Sequence, residues 1–329
     1  MKARSVASAA GLVLAGASIA WLVAASVRSI REAGSLTELL RFDPLLFALS
    51  FLLLQVHFVA AAWSWKRVCT VSGAPIGLRD AYAVHFVSLV GKYMPGKIWA
   101  AVGKIGLSRK VGVPPAIAGQ ALVLETLFIV SGSLLVGLTL VPRLSSKMGL
   151  DIALSFAVVA FLVAVMLVSA HPSAYRRLLG IVSKIAGREF ECGDPGFSSV
   201  MRLLPVYLAV FLLQGSAFLL LAGSFGIELP VFPGIALMPT SVGIGFLVLL
   251  APGGIGISEV TLTWLMALLL SGSHAGEADH GQLALVALAS RLWLSLAELA
   301  AFGVAVIIWG GPRRLAAVLG RRKDAPREE

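Results

Sequence analysis

Among the ionisable residues inside otherwise apolar stretches, Glu125, Arg291 and Glu298 are the intramembrane candidates for function. A charged group in hydrocarbon is costly and is retained mainly where it faces a cavity or an opposite charge. Arg291 and Glu298 are seven residues apart, two turns of one helix, and so share a face. The chemistry this set supports is an ion pair between Glu125 and Arg291, acting as a lock or as a relay for a charged headgroup. A static pair that only holds a helix bundle together is the plainer alternative.

Two Pro-Gly interruptions supply the second kind of chemistry. They are Gly91-Lys92-Tyr93-Met94-Pro95-Gly96-Lys97-Ile98-Trp99 and Ala251-Pro252-Gly253-Gly254-Ile255-Gly256-Ile257-Ser258-Glu259. Proline removes a backbone donor and glycine permits a tight turn, so N–H and C=O groups are freed at membrane depth and need a partner. Exposed N–H groups at Gly253, Gly254, Ile255 and Gly256, ahead of a helix expected from about Ile257, could hold a lipid phosphate. Close helix packing would use the same glycines. Lys92 and Lys97 would meet the same anion, or snorkel to the interface. Glu259 reads either as a substrate contact or as a carboxylate complementing the N-terminus of that helix. Tyr93 and Trp99 read either as headgroup contacts or as interface anchors.

The elements that must position these groups are membrane helices. Hydrophobic residues make up 58% of the chain, charged residues only 13%, and the mean hydropathy is +0.92. That leaves too little polar surface for a water-soluble globule of this size. Six full spans are expected, at about Val6 to Val27, Pro44 to Trp65, Pro115 to Val141, Ile152 to Ala170, Leu203 to Gly226 and Leu283 to Trp309. Two apolar stretches punctuated by Gly and Pro, Ala81 to Val113 and Pro230 to Ser271, read as broken or re-entrant helical hairpins.

The fold class is therefore an all-α polytopic membrane protein in one membrane domain, residues 1–329. The two prolines lie 157 positions apart, from 95 to 252. Residues 1–150 and 151–312 read as two halves of an inverted repeat, followed by a basic cytoplasmic tail at 313–329; matched discontinuous helices are the sequence mark of a transporter site. Of the 27 Lys and Arg, 20 fall on one side when the N-terminus is placed inside, against five outside. The positive-inside rule then puts both termini in the cytoplasm. Ile98 to Val113, with Lys104, Arg109 and Lys110, reads as a helix on the inner leaflet surface.

Other chemistry finds little footing. Cys69 and Cys192 lie on the expected cytoplasmic side, with no metal-ligand spacing. The five histidines form no ligand-spaced cluster, and no nucleotide-binding, nucleophile-elbow or dinucleotide motif occurs. Neither a metal nor a cofactor is expected. Positive-inside loops and anionic lipid headgroups explain the basic pI of about 10.1 better than nucleic acid does.

Lys92-Tyr93-x-Pro95-Gly96-Lys97-x-Trp99 and Pro252-Gly253-Gly254-Ile255-Gly256-x-x-Glu259 resemble the two signature motifs of the lysylphosphatidylglycerol synthase transmembrane-region family. This is the flippase-like membrane domain of bacterial multiple peptide resistance factors, which also occurs alone. The resemblance extends over nearly the whole chain and takes in Glu125 and Arg291, although members often carry Arg after the equivalent of Glu125, where Thr126 stands here. In two-domain members a soluble C-terminal domain transfers an aminoacyl group to phosphatidylglycerol. This chain reads as a stand-alone member, so the resemblance implies lipid translocation and not synthesis.

The expected protein is not an enzyme. It sits in the bacterial cytoplasmic (inner) membrane and moves an anionic phospholipid or a polyprenyl-phosphate-linked sugar between leaflets. The alternative is a non-transporting accessory that anchors a glycosyltransferase or another envelope enzyme.

Overall fold

The computed structural model describes residues 42–93, 98–169, 171, 177, 180, 195–247, 257–271 and 280–311, and every regular element among them is helical. The first, α1 (Pro44–Val71), starts from Asp43, whose carboxylate accepts hydrogen bonds from the N–H groups of Leu45 and Leu46 at 2.8 and 3.1 Å. Its faces are reversed relative to a helix in water. Ser50, His57 and Ser64 are buried, while Leu45, Leu49, Leu52, Val56, Val59 and Trp63, spaced three and four apart, are exposed. Polar groups turned inward beneath an outward apolar stripe are what a lipid solvent demands.

A helical hairpin follows. Its first arm is α2 (Leu78–Leu89), continued by a 3₁₀ turn at Val90–Tyr93, and its second arm is α3 (Ile98–Lys110). The arms run antiparallel: a Cβ on Gly91 would lie 2.6 Å from the Ala100 nitrogen, one on Gly103 3.8 Å from Ser88, and Lys104 meets His85 a turn further along. Only glycine permits the approach at Gly91. Next come α4 (Pro115–Gly137), a 3₁₀ turn at Leu138–Leu140, α5 (Val141–Met148) and α6 (Ile152–Ser169).

The second half begins with the short α7 (Phe197–Met201) and α8 (Leu204–Ser224). A second hairpin has arms α9 (Val231–Leu247) and α10 (Ile257–Leu270), which pack on each other, and α11 (His280–Ile308) closes the chain of described elements. Four helical stretches are long and apolar enough to cross a membrane: Pro44–Val71, Pro115–Met148, Phe197–Ser224 and Gln282–Ile308. They correspond to four of the six expected spans. The expected span at Val6 to Val27 lies outside the described residues, and α6 counts with the shorter apolar helices.

The order long helix, hairpin, long helix thus occurs twice, as α1, α2–α3, α4 and as α8, α9–α10, α11. Packing partners correspond as well. α1 and α8 pack on each other along the middle, α4 packs on the first arm of the second hairpin, and α11 packs on the first arm of the first. Arg79 at the start of α2 donates from Nη2 to the Ile308 carbonyl at 2.8 Å, tying that arm to the end of α11. One apolar core joins α1, α2, α8, α9, α10 and α11; a second, around Trp65, Leu107, Leu124, Phe128 and Tyr207, lies under α3 and α4.

Candidate functional site

Residues flanking both breaks line one cavity of about 560 Å³. Leu89, Lys92 and Ala100 come from the first hairpin, and Gly245, Phe246, Ser258 and Glu259 from the second. α1 adds His57, Phe58 and Ala61, and α11 adds Arg291, Leu294 and Glu298. The walls are largely apolar, with a few convergent charges, which is the usual character of a small-molecule site.

Those charges are paired. The Lys92 ammonium donates to Glu298 Oε1, and Arg291 Nη1 lies 3.4 Å from Glu259 Oε1. Arg291 keeps its other terminal nitrogen, Nη2, buried with no hydrogen-bond partner among the described residues, as is Oε1 of Gln214, a cavity residue on α8. His57 Nδ1 lies 2.8 Å from the Val210 carbonyl and so carries the proton there, leaving Nε2 of the neutral ring as an acceptor.

A second buried pair lies beside the cavity. Lys104 Nζ is 2.6 Å from both carboxylate oxygens of Glu125, and the two residues are only 6% and 4% exposed. Lys104 also sits 3.1 Å from His85 Nδ1 and 3.9 Å from the centroid of the Trp65 ring, a cation–π distance. His85, a cavity residue, is thus shared between the cavity and this pair.

These contacts correct the pairing expected from sequence. Glu125 does not meet Arg291: its partner is Lys104, and that of Arg291 is Glu259. Each pair joins the second arm of a hairpin to the closing helix of the same half, with acid and base exchanged between the halves. Among the described residues, the ion pair that joins the halves is instead Lys92 with Glu298. Lys104 is also not a surface cation on α3. It lies three and four residues before Leu107 and Ser108, both buried, while Arg109 and Lys110 are exposed. Reading α3 as a helical wheel places Lys104 on the Leu107 face, and that was the signal available in the sequence. His85, His57 and Gln214 carried no such signal, because a lone polar residue in a membrane helix has no spacing to betray it.

Glu259 occupies the first turn of α10, where its charge also complements the helix N-terminus. Trp99 is 45% exposed and is not among the residues that line the cavity. Tyr93 falls in the 3₁₀ turn, and its side chain is not among those described. Pro95, Gly96, Lys97, Pro252, Gly253, Gly254 and Gly256 lie outside the described residues, as does Cys192. Among the described residues no group of His, Cys, Asp and Glu could hold a metal ion.

A family model described as "Lysylphosphatidylglycerol synthase TM region" matches residues 8–293, most of the chain. No curated protein sequence matches it.

Proposed function

The chain belongs to the lysylphosphatidylglycerol synthase TM region family, a multi-pass membrane protein tied to lipid handling, and we propose that it carries a phosphate-bearing lipid headgroup from one leaflet to the other. The observation that carries this reading is the cavity lined by residues flanking both breaks, apolar in its walls and furnished with Lys92, Arg291 and their two carboxylates. Its volume, about 560 Å³, suits a headgroup and its glycerol linkage, while acyl chains stay in the bilayer. The lipid is an anionic phospholipid or a polyprenyl-phosphate-linked sugar, whose phosphate takes Lys92 from Glu298, or Arg291 from Glu259, as it enters.

In this reading the two halves form an inverted repeat, the hairpins are re-entrant and open to opposite sides, and the protein sits in the bacterial inner membrane with both termini cytoplasmic. Rocking of one half against the other would then expose the cavity to each leaflet in turn. The repeated element order and the matching packing partners support this arrangement.

The test is a liposome assay with headgroup-labelled phosphatidylglycerol and a labelled polyprenyl phosphate, comparing the protein with Arg291→Gln. Movement of either lipid, lost in the variant, supports the reading and names the substrate. Movement of neither, in folded protein, rejects it in favour of an accessory role.

A further inference from the structure

We propose that His85, Lys104 and Glu125 form a proton-binding site coupled to the lipid cavity, an inference that rests on the lipid-carrying reading above. A buried ion pair contributes little net stability over apolar packing, so its presence in a membrane bundle calls for another role. This pair has two features that a static pair lacks. It has a route to the cavity, since His85 lines the cavity and stands 3.1 Å from Lys104 and 3.8 Å from Glu125. It also has a second holder for its cation: the Lys104 ammonium lies 3.9 Å from the centroid of the Trp65 ring, a contact that does not depend on the charge of Glu125.

The step balances simply. The Lys104 ammonium has only protons to donate, so His85 Nδ1 accepts and the ring is neutral. A hydronium in the cavity gives its proton to Nδ1 and leaves as water; the ring is then charged, and Nδ1 faces the ammonium as a second donor. Their repulsion moves the ammonium toward Trp65 and lets Nδ1 close the 3.8 Å to Glu125 Oε1, where its N–H bond breaks as an O–H bond forms; His85 returns to neutral and the cluster passes from a net charge of zero to +1. The other charged or titratable groups facing the site are Lys92 and His57 beside His85, and Cys69 and Tyr207 beside Glu125. The other carboxylates of the cavity, Glu298 and Glu259, are held by Lys92 and Arg291, and Glu125 is the carboxylate that stands against His85, which makes it the acceptor. A phosphate in the cavity is attracted by the added charge, so proton and lipid each favour binding of the other, by the same factor.

The test measures binding of short-chain phosphatidylglycerol across pH, and proton flux with a lumenal pH dye during lipid movement in liposomes. Affinity is expected to rise as pH falls, by up to about tenfold per pH unit for one linked proton. The pH slope and the proton flux should vanish in Glu125→Gln. Should that variant fail to fold, the double variant Lys104→Met/Glu125→Gln, which strands no charge, makes the same test. Lipid movement with a flat pH profile and no proton flux overturns the coupling and leaves the lipid reading standing. Absence of both lipid binding and movement overturns both.

Discussion

Lys92, in the turn that follows α2, forms an ion pair with Glu298 on α11, joining the break of the first half to the closing helix of the second. Both groups line the cavity, and the pair is the one cross-half salt bridge among the described residues. In the proposed mechanism, a headgroup entering between them would separate the halves electrostatically where they part.

Removing either partner alone takes the opposite charge of this ion pair from a largely enclosed group. Lys92→Met and Glu298→Gln should each lower stability by about 3–5 kcal/mol and abolish lipid movement. The double variant should recover most of the stability but none of the transport. Thermal unfolding in detergent and the liposome assay, run on the same preparations, separate the two effects.

Lys104 and Glu125 should behave as one thermodynamic unit. Lys104→Met and Glu125→Gln are each expected to cost about 3–5 kcal/mol, and together markedly less than their sum. A double-mutant cycle read from unfolding midpoints checks this; additive losses would show that the 2.6 Å contact does not couple them.

Charge exchange distinguishes the pairs. The swap Glu259→Arg/Arg291→Glu keeps a complementary contact and should restore part of the transport lost in Arg291→Glu alone. Exchanging charges between Glu125 and Arg291 should restore nothing, because each would then face a like charge, at Lys104 and Glu259 respectively.

What the sequence disclosed about this architecture follows from which signals are local. Long, predominantly apolar runs marked α1, α4, α8 and α11 because length and hydropathy are properties of one segment. Pro95-Gly96 and Pro252-Gly253 are local signals too; in the sequence they fall between the two arms of each hairpin, outside the described residues. Partner choice is not local. Glu125 and Arg291 were the conspicuous opposite charges at membrane depth, yet the true partner of Glu125 was hidden among residues that look cytoplasmic, since α3 carries Lys104 on the same short segment as exposed Arg109 and Lys110. Sequence alone could equally not show that α11 reaches the first break, which depends on how α2 and α11 pack.

The hairpin itself offers a structural prediction. Gly91→Val places a side chain against the backbone of Ala100, which cannot move away without parting α2 from α3. Faster hydrogen exchange confined to Leu78–Lys110, with α8 unchanged, is the expected signature.

The most direct test of the central claim, that lipid crosses through the cavity between the two breaks, is the rate of labelled phosphatidylglycerol movement in liposomes containing Ala61→Trp. Ala61 is a half-buried cavity residue on α1, so the indole fills the cavity without removing any charge. A correctly folded variant that no longer moves lipid is the predicted result; movement at the rate of the unaltered protein would contradict it.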